Sequence, residues 1–149
     1  MVVFQREQAQ NCFLEAIPLL IEHGRELKYY SELKLEPEFS RYEQLEFAGL
    51  LRTYTARLNK TLIGYAVFFF TPHLHFKNHI FATCDIIFVH PKHRGFGLRF
   101  IRWCNDNLRN DGAYSIHYYV NTLFDYGSVL KRLGFEHTAE LYSKTIGDK

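Results

Sequence analysis

The chain has 149 residues, of which 47% are hydrophobic and 17% aromatic, and a formal net charge of +2. This length predicts one domain, residues 1–149, and the apolar fraction excludes a disordered chain. The basic residues are dispersed and form no run typical of nucleic-acid binding, so no nucleic-acid partner is expected.

The cysteines and the N-terminus indicate a cytoplasmic protein. Cys12, Cys84 and Cys104 are odd in number and show no CxxC spacing. This pattern argues against a disulfide framework and favours a reducing compartment. The first ten residues do not resemble a signal peptide, and no apolar stretch is long enough to span a bilayer. We therefore expect no membrane partner.

The first third of the chain predicts one short strand and two helices. Apolar residues recur at helical spacing from Glu7 to about His23, and Gly24 supplies a stop. Pro18 lies inside this pattern, which implies that the helix either kinks there or begins late. The other elements predicted here are a strand at 2–4, a loop at 26–30 and a second helix at 38–48.

The rest of the chain alternates strands and helices. A hairpin is predicted from strands at 52–58 and 62–71, because turn-like residues, Asn59 and Lys60, separate them. Further strands are predicted at 80–89, 114–120 and 135–146, with helices at 98–110 and 125–133. The order β-α-α-β-β-β-α-β-α-β predicts an α/β class fold, with a mixed sheet and helices on its faces.

Residues 90–97, His-Pro-Lys-His-Arg-Gly-Phe-Gly, join a predicted strand to a predicted helix. Glycines at such a turn let backbone N–H groups converge, and the helix start adds partial positive charge. Lys92, Arg94 and Arg99 add side-chain charge around this point. A turn that merely connects two elements is the alternative, but the strand before it and the basic amphipathic helix after it favour a phosphate site.

The segment DIIFVHPKHRGFGL (85–98) and the triplet LGF (133–135) resemble the GNAT superfamily of N-acetyltransferases, and the element order is similar over nearly the whole chain. The segments PLLIEHGREL, YTARLNKTLIGYAVFF and PHLHFK also resemble a group of phage-encoded members. The resemblance implies a GNAT-like central sheet of six or seven strands with about four helices. It also implies acetyl-CoA as co-substrate, bound through its pyrophosphate, and no metal.

The family pattern of the loop is Arg or Gln, two residues, Gly, one residue, then Gly or Ala. Read from Arg94, it places Gly97 correctly but puts Arg99 where a small residue belongs. Read from Lys92, it places both glycines correctly, with Lys in place of Arg or Gln, and both registers stay open. The resemblance also implies backbone pairing of the pantetheine arm beside a splayed strand. The candidate coenzyme-binding residues are Phe88, Val89, Lys92, Arg94, Gly95, Phe96, Gly97, Leu98, Arg99 and Asn121.

Asp85 is the candidate general base for removing a proton from an amine. It is a charge in the middle of an apolar strand, next to the implied thioester position. The alternative is a solvated or paired strand residue. Direct transfer needs no protein nucleophile, so Cys84 and Cys104 are interpreted as core residues rather than acyl carriers.

The general acid is less clearly marked in the sequence. Many relatives carry a Tyr four residues before the Gly of LGF, and here that position is Leu130. Tyr126 is the nearest substitute and Tyr142 a weaker one; the alternative for both is an ordinary packed aromatic residue. Among other residues, His23 and Glu26 are candidates to line an acceptor pocket.

His73 and His75 share a side in an extended segment, which would suit a metal ion. No Cys or acid completes the set locally, so a surface loop is favoured.

The leading hypothesis is an acetyl-CoA-dependent N-acetyltransferase that moves acetyl directly to a primary amine of a small molecule, a lysine or a protein N-terminus. The alternative is a catalytically silent acyl-CoA-binding or protein-interaction module. A nucleotide-binding protein is disfavoured because no GxxxxGK[ST] motif is present. The short C-terminal region leaves room for a homodimer that completes the sheet.

Overall fold

The structure, a computed structural model, describes residues 1–27 and 32–148. Five strands form one sheet in the order β1-β2-β3-β4-β5. The strands are β1 (Val2–Arg6), β2 (Leu51–Leu58), β3 (Thr61–Pro72), β4 (Ile80–Val89) and β5 (Ala113–Tyr118). The α-helices are α1 (Phe13–Leu27), α2 (Phe39–Phe47), α3 (Gly97–Asn110) and α4 (Gly127–Arg132).

The sheet is mixed because a hairpin joins β2 to β3 and a helical crossover joins β4 to β5. Asn59 and Lys60 have positive φ angles of 48° and 73°, the backbone of a two-residue turn whose twist matches that of the flanking strands. β1 to β4 pair antiparallel, whereas β4 and β5 pair parallel across α3. The predicted hairpin and the strand at 80–89 are confirmed.

The main core lies between the sheet and α3. Its largest fully buried side chains include Tyr54 and Phe68 from the strands and Phe100 and Leu108 from the helix. A smaller cluster on the opposite face packs α1 against the β3–β4 pair. The apolar stripe of α3 therefore fixes the helix that begins at the glycine loop.

The final strand predicted at 135–146 is wrong, and the sheet has five strands among the described residues rather than six or seven. Residues 135–148 carry no regular structure. Phe135 packs on Tyr118 with ring centroids 5.3 Å apart, but Leu141, Tyr142 and Ile146 beyond it are 64–91% exposed. Alternating apolar residues stabilise a strand only where its backbone and one face find a partner.

The boundaries of the first helix also differ from the prediction. α1 begins at Phe13, later than Glu7 but still before Pro18, which lies inside the helix, and it continues through Gly24 to Leu27. Glu26 and Leu27 are therefore helical rather than in a loop, and residues 28–30 of the predicted loop lie outside the described residues. A helical glycine costs about 1 kcal/mol, and burial of Leu19 and His23 on α1 offsets it.

Candidate functional site

β4 and β5 diverge and open a cleft. Their pairing ends at Cys84 and Tyr118, while β4 continues to Val89 without a β5 partner. The opening has a volume of about 260 Å³. Eight of the predicted site residues line it: Asp85, Phe88, Val89, Arg94, Gly97, Leu98, Asn121 and Tyr126. His23 and Glu26 line it as well.

Asp85 lies in the cleft because β4 carries a β-bulge there. Val67 of β3 pairs with Ile86, and the next residue, Phe68, pairs with Cys84, so Asp85 is the extra residue. A bulge bends the strand and redirects the side chain of the extra residue. The carboxyl group has no ion-pair partner among the described residues, and desolvation raises its pKa above the ordinary value.

Tyr126 faces the same cleft from the start of α4, where it is the residue that precedes the helix. Burial raises the pKa of its hydroxyl, so the group keeps its proton at neutral pH. Leu130, at the position where relatives carry Tyr, is 6% exposed and packs in the core. Tyr142 is 87% exposed, bonds to Glu140 and does not line the cleft.

Cys84 and Cys104 are buried, as the interpretation of core residues predicted. Burial raises the pKa of both thiols. An uncharged buried thiol is a poor nucleophile.

The loop after β4 forms a 3-10 helix, Pro91–Phe96, that runs directly into α3. Phe96, the residue preceding α3, makes no side-chain hydrogen bond to the helix, and no acid lies in its first turn. No side chain therefore caps the start of α3, although the N–H of its first residue, Gly97, donates to the carbonyl of Arg94. The N–H groups of the next residues of the first turn can meet an external anion. A Cβ added to Gly95 or Gly97 would meet no atom within 4 Å. These glycines are therefore not required by tight packing inside the protein, and the space beside them is open.

The basic side chains of the loop differ in their surroundings. Lys92 and Arg99 are exposed, and neither has a carboxylate partner within the described part of the chain. Arg99 lies 5.8 Å from the ring centre of Phe96. Arg94, in contrast, forms an ion pair with Glu26 of α1. Lys92, Gly95 and Phe96 in the loop, and Arg99 just after it, do not line the cleft itself.

Asn121, after β5, lines the cleft with its amide oxygen already engaged. Its Oδ1 accepts a hydrogen bond of 2.7 Å from the backbone N–H of Leu123. The amide NH2 group has no partner in the described residues and remains available as a donor. Phe124, three positions further on, also lines the cleft and contacts Arg94. The sequence carried no signal for Phe124 beyond its closeness to Asn121.

His23 closes the α1 side of the cleft. Its Nδ1 lies 3.1 Å from the hydroxyl of Tyr65, and its ring stacks on Phe88 with centroids 4.8 Å apart. The side chain is 7% exposed, and its burial lowers the pKa to about 4. His23 is therefore neutral near pH 7. Tyr65 was not singled out from the sequence, where it is one aromatic residue in an apolar strand.

His73 and His75 lie apart from the cleft, in the segment after β3. The backbone N–H of His75 donates to Nδ1 of His73 at 3.1 Å, and His73 packs on Phe76 and Phe81. Within residues 1–27 and 32–148, no group of three or more His, Cys, Asp or Glu residues is arranged to hold a metal ion.

The candidate site is therefore a cleft between two diverging parallel strands, with a glycine loop and the start of a helix at its mouth. The chain belongs to the acetyltransferase (GNAT) family, whose profile matches residues 20–123. The predicted family and fold class are thus confirmed, and the chain is placed among acetyltransferase enzymes. No sequence among curated proteins matches significantly.

Solved structures of acetyltransferases have the same fold. A ribosomal-protein-alanine N-acetyltransferase from Brucella melitensis biovar Abortus 2308 is similar with a TM-score of 0.79 and 20% identity, over 99% of each chain. A predicted acetyltransferase from Clostridium acetobutylicum, solved with acetyl-CoA, gives 0.73 and 19%, over 97% of this chain and 96% of that one. An aminoglycoside acetyltransferase from an uncultured soil metagenomic sample, solved with sisomicin, gives 0.74 and 16%, over 98% and 97%.

None of the helices in the described ranges is long and apolar enough to cross a membrane.

Proposed function

We propose that the protein is an acetyl-CoA-dependent N-acetyltransferase that moves acetyl directly to a primary amine. One observation carries the proposal: a single cleft has an unpaired carboxylate, Asp85, on one wall and the open glycine loop at its mouth. The uncapped start of α3 suits a pyrophosphate, and the unpaired edge of β4 beyond Cys84 suits the amides of a pantetheine arm.

The residues proposed to contact the coenzyme are chosen by their positions around the cleft and in the loop. The backbone N–H groups of the first turn of α3, at Leu98 and Arg99, point to the pyrophosphate, with Lys92 adding charge. Gly95, Phe96 and Gly97 form the backbone on which the phosphates lie; the N–H of Gly97 itself donates to the carbonyl of Arg94, and both glycines leave open space. Phe88 and Val89 offer backbone groups to the pantetheine arm, and Asn121 offers its amide from the segment after β5 on the opposite wall.

The proposed chemistry is direct transfer. The amine nitrogen attacks the thioester carbonyl, a C–N bond forms and the C–S bond breaks. Asp85 accepts the proton that the amine loses, directly or through water, and its raised pKa brings its basicity closer to that task. Tyr126, which keeps its proton, supplies a proton to the departing thiolate.

The acceptor is proposed as an amine of a small molecule or of a protein. Solved structures with this fold are described as acting on ribosomal-protein alanine or on aminoglycosides. The alternative, a silent acyl-CoA-binding module, is favoured by one feature, Leu130 in place of the family's Tyr.

Thiol release from acetyl-CoA, measured with a panel of amines and lysine peptides, tests the proposal. Asp85→Asn should lower kcat at least about 100-fold and remove an ionisation from the acidic limb of the pH profile, because the base is lost. Tyr126→Phe should lower kcat with little change in the KM for acetyl-CoA. Tyr142→Phe, which changes a Tyr outside the cleft, is the matched control.

Coenzyme binding without thiol release by any amine would favour the silent module. An unchanged rate and pH profile for Asp85→Asn would show that the assignment of the base is wrong.

A further inference from the structure

Two acidic side chains of α1 face the coenzyme loop, residues 90–97. Glu22 and Glu26 lie one helical turn apart and so share one side of the helix. Glu22 Oε2 lies 3.4 Å from His90 Nε2, and Glu26 pairs with Arg94. The helix that closes one side of the cleft is thereby joined to the loop at two points.

His90 contacts both the loop backbone and α1. Its Nδ1 accepts a hydrogen bond of 3.2 Å from the backbone N–H of Lys92, and its Nε2 is the nitrogen nearest Glu22. The same imidazole therefore caps the 3-10 helix of the loop and contacts α1.

Arg94 contacts three different parts of the fold. Besides Glu26 of α1, its Nε donates to the carbonyl of Val89 at the end of β4, at 3.3 Å. Its guanidinium lies 4.4 Å from the ring centre of Phe124, in the segment after β5. One side chain thus links both walls of the cleft to the loop.

These contacts leave Arg94 poorly placed to serve a pyrophosphate. Its charge is balanced by Glu26, so the pair attracts a distant anion weakly, and turning away would leave Glu26, 23% exposed, without its partner. Lys92 is exposed and has no carboxylate partner in the described residues.

We infer that Arg94 is a positioning residue that latches α1 and the segment after β5 onto the loop, and that Lys92 supplies the side-chain charge for the pyrophosphate. This inference rests on the proposed function. It selects the register that starts at Lys92, with Gly95 and Gly97 at the glycine positions.

Calorimetric titration of the full chain with coenzyme A tests the inference. Lys92→Gln should weaken binding at least about tenfold and reduce the dependence of Kd on salt, because a charge that meets the phosphates is lost. Glu26→Gln and Arg94→Gln should each weaken binding by a similar, smaller factor, about threefold, because either change removes the contact that holds α1 against the loop. The double variant should match either single variant, since both remove one contact.

A ligand role for Arg94 gives the opposite pattern. Arg94→Gln would then weaken binding more than Lys92→Gln does, while Glu26→Gln, by freeing the guanidinium, would leave the affinity equal or higher. That result would overturn the inference.

Circular dichroism checks that each variant is folded. Glu22→Gln, which loosens the second contact between α1 and the loop, gives an independent test if Arg94→Gln fails to fold. Weaker binding of coenzyme A by this variant supports the latch, because removal of a negative charge would by itself strengthen anion binding; equal or tighter binding counts against the latch. If the folded wild-type chain does not bind coenzyme A, the proposed function itself is refuted. If wild type binds but Arg94→Gln weakens binding more than Lys92→Gln does, and Glu26→Gln does not weaken it, only the latch is refuted.

Discussion

Burial of a histidine in the cleft wall links the stability of this protein to pH. The pKa of His23 is lowered from 6.5 to about 4, first by desolvation, because the ring lies between Tyr65 and Phe88. The unfolded chain binds a proton at His23 below pH 6.5, whereas the folded chain does so only near pH 4. The stabilisation that the protein gains by keeping His23 neutral is therefore fully present above pH 6.5 and is lost as the pH falls to about 4.

We expect wild type to lose about 3 kcal/mol more stability than His23→Gln between pH 7 and pH 4. Gln keeps a hydrogen-bonding group toward Tyr65 but does not titrate in this range. Urea unfolding of both proteins at several pH values measures the difference. Parallel stability curves would show that His23 is not held neutral.

At the residue scale, the sequence marked candidate side chains but not what they contact. Asp85 stood out as a charge in an apolar strand, yet the bulge that turns it into the cleft depends on the register with β3. Arg94 stood out as a cation beside glycines, yet its partner, Glu26, lies 68 residues away. No local pattern encodes such a pairing, which is why both loop registers stayed open.

At the scale of elements, Arg57 holds β2 against the segment that leads into α1 and against α1 itself. Its guanidinium donates to Glu7 at 3.0 and 3.1 Å and to Glu15 at 2.9 Å. The side chain is 14% exposed, as is that of Glu7. Burial alone would raise the pKa of Glu7, but hydrogen bonds from Arg57 and Thr55 outweigh it and lower the pKa.

Arg57→Gln should therefore destabilise the protein by about 3 kcal/mol, because two carboxylates lose their shared cation, one of them largely buried. Arg41→Gln is the matched control: Arg41 pairs with Glu38 on the exposed side of α2, and its loss should cost no more than about 0.5 kcal/mol. Urea unfolding measures both. Equal losses would mean that burial does not set the strength of these pairs.

The elements that the sequence predicted well are those with strong local signals. β4 was predicted with its observed bounds because a long apolar run is flanked by turn residues, and the β2–β3 turn followed from Asn59 and Lys60. The strand at 135–146 failed because its alternating residues require a neighbour that the pattern cannot supply. Gly24 failed as a helix stop because tertiary packing of α1 overrides a propensity of about 1 kcal/mol.

At the scale of the whole molecule, the fold brings together residues that lie far apart in the chain. α1 and the segment after β5 form opposite walls of a cleft that β4 and the glycine loop complete. Asp85, an unpaired carboxylate, lies within β4, whereas the open glycines and the start of α3 come after the end of that strand. This separation suits a long anionic carrier whose reactive end reaches the carboxylate.

The central claim is that this cleft binds acetyl-CoA through the open space at the loop glycines, and Gly97→Val tests it directly. Gly97 is helical, with φ −57° and ψ −48°, and no atom lies within 4 Å of an added Cβ, so stability should change by no more than about 0.5 kcal/mol. The measurement is calorimetric titration of both proteins with acetyl-CoA, and of wild type with ATP.

We expect wild type to bind acetyl-CoA more tightly than ATP, and the folded variant to bind acetyl-CoA at least about tenfold more weakly because the added side chain fills the space of the phosphates. Unchanged affinity in Gly97→Val, or equal binding of acetyl-CoA and ATP by wild type, would contradict the claim.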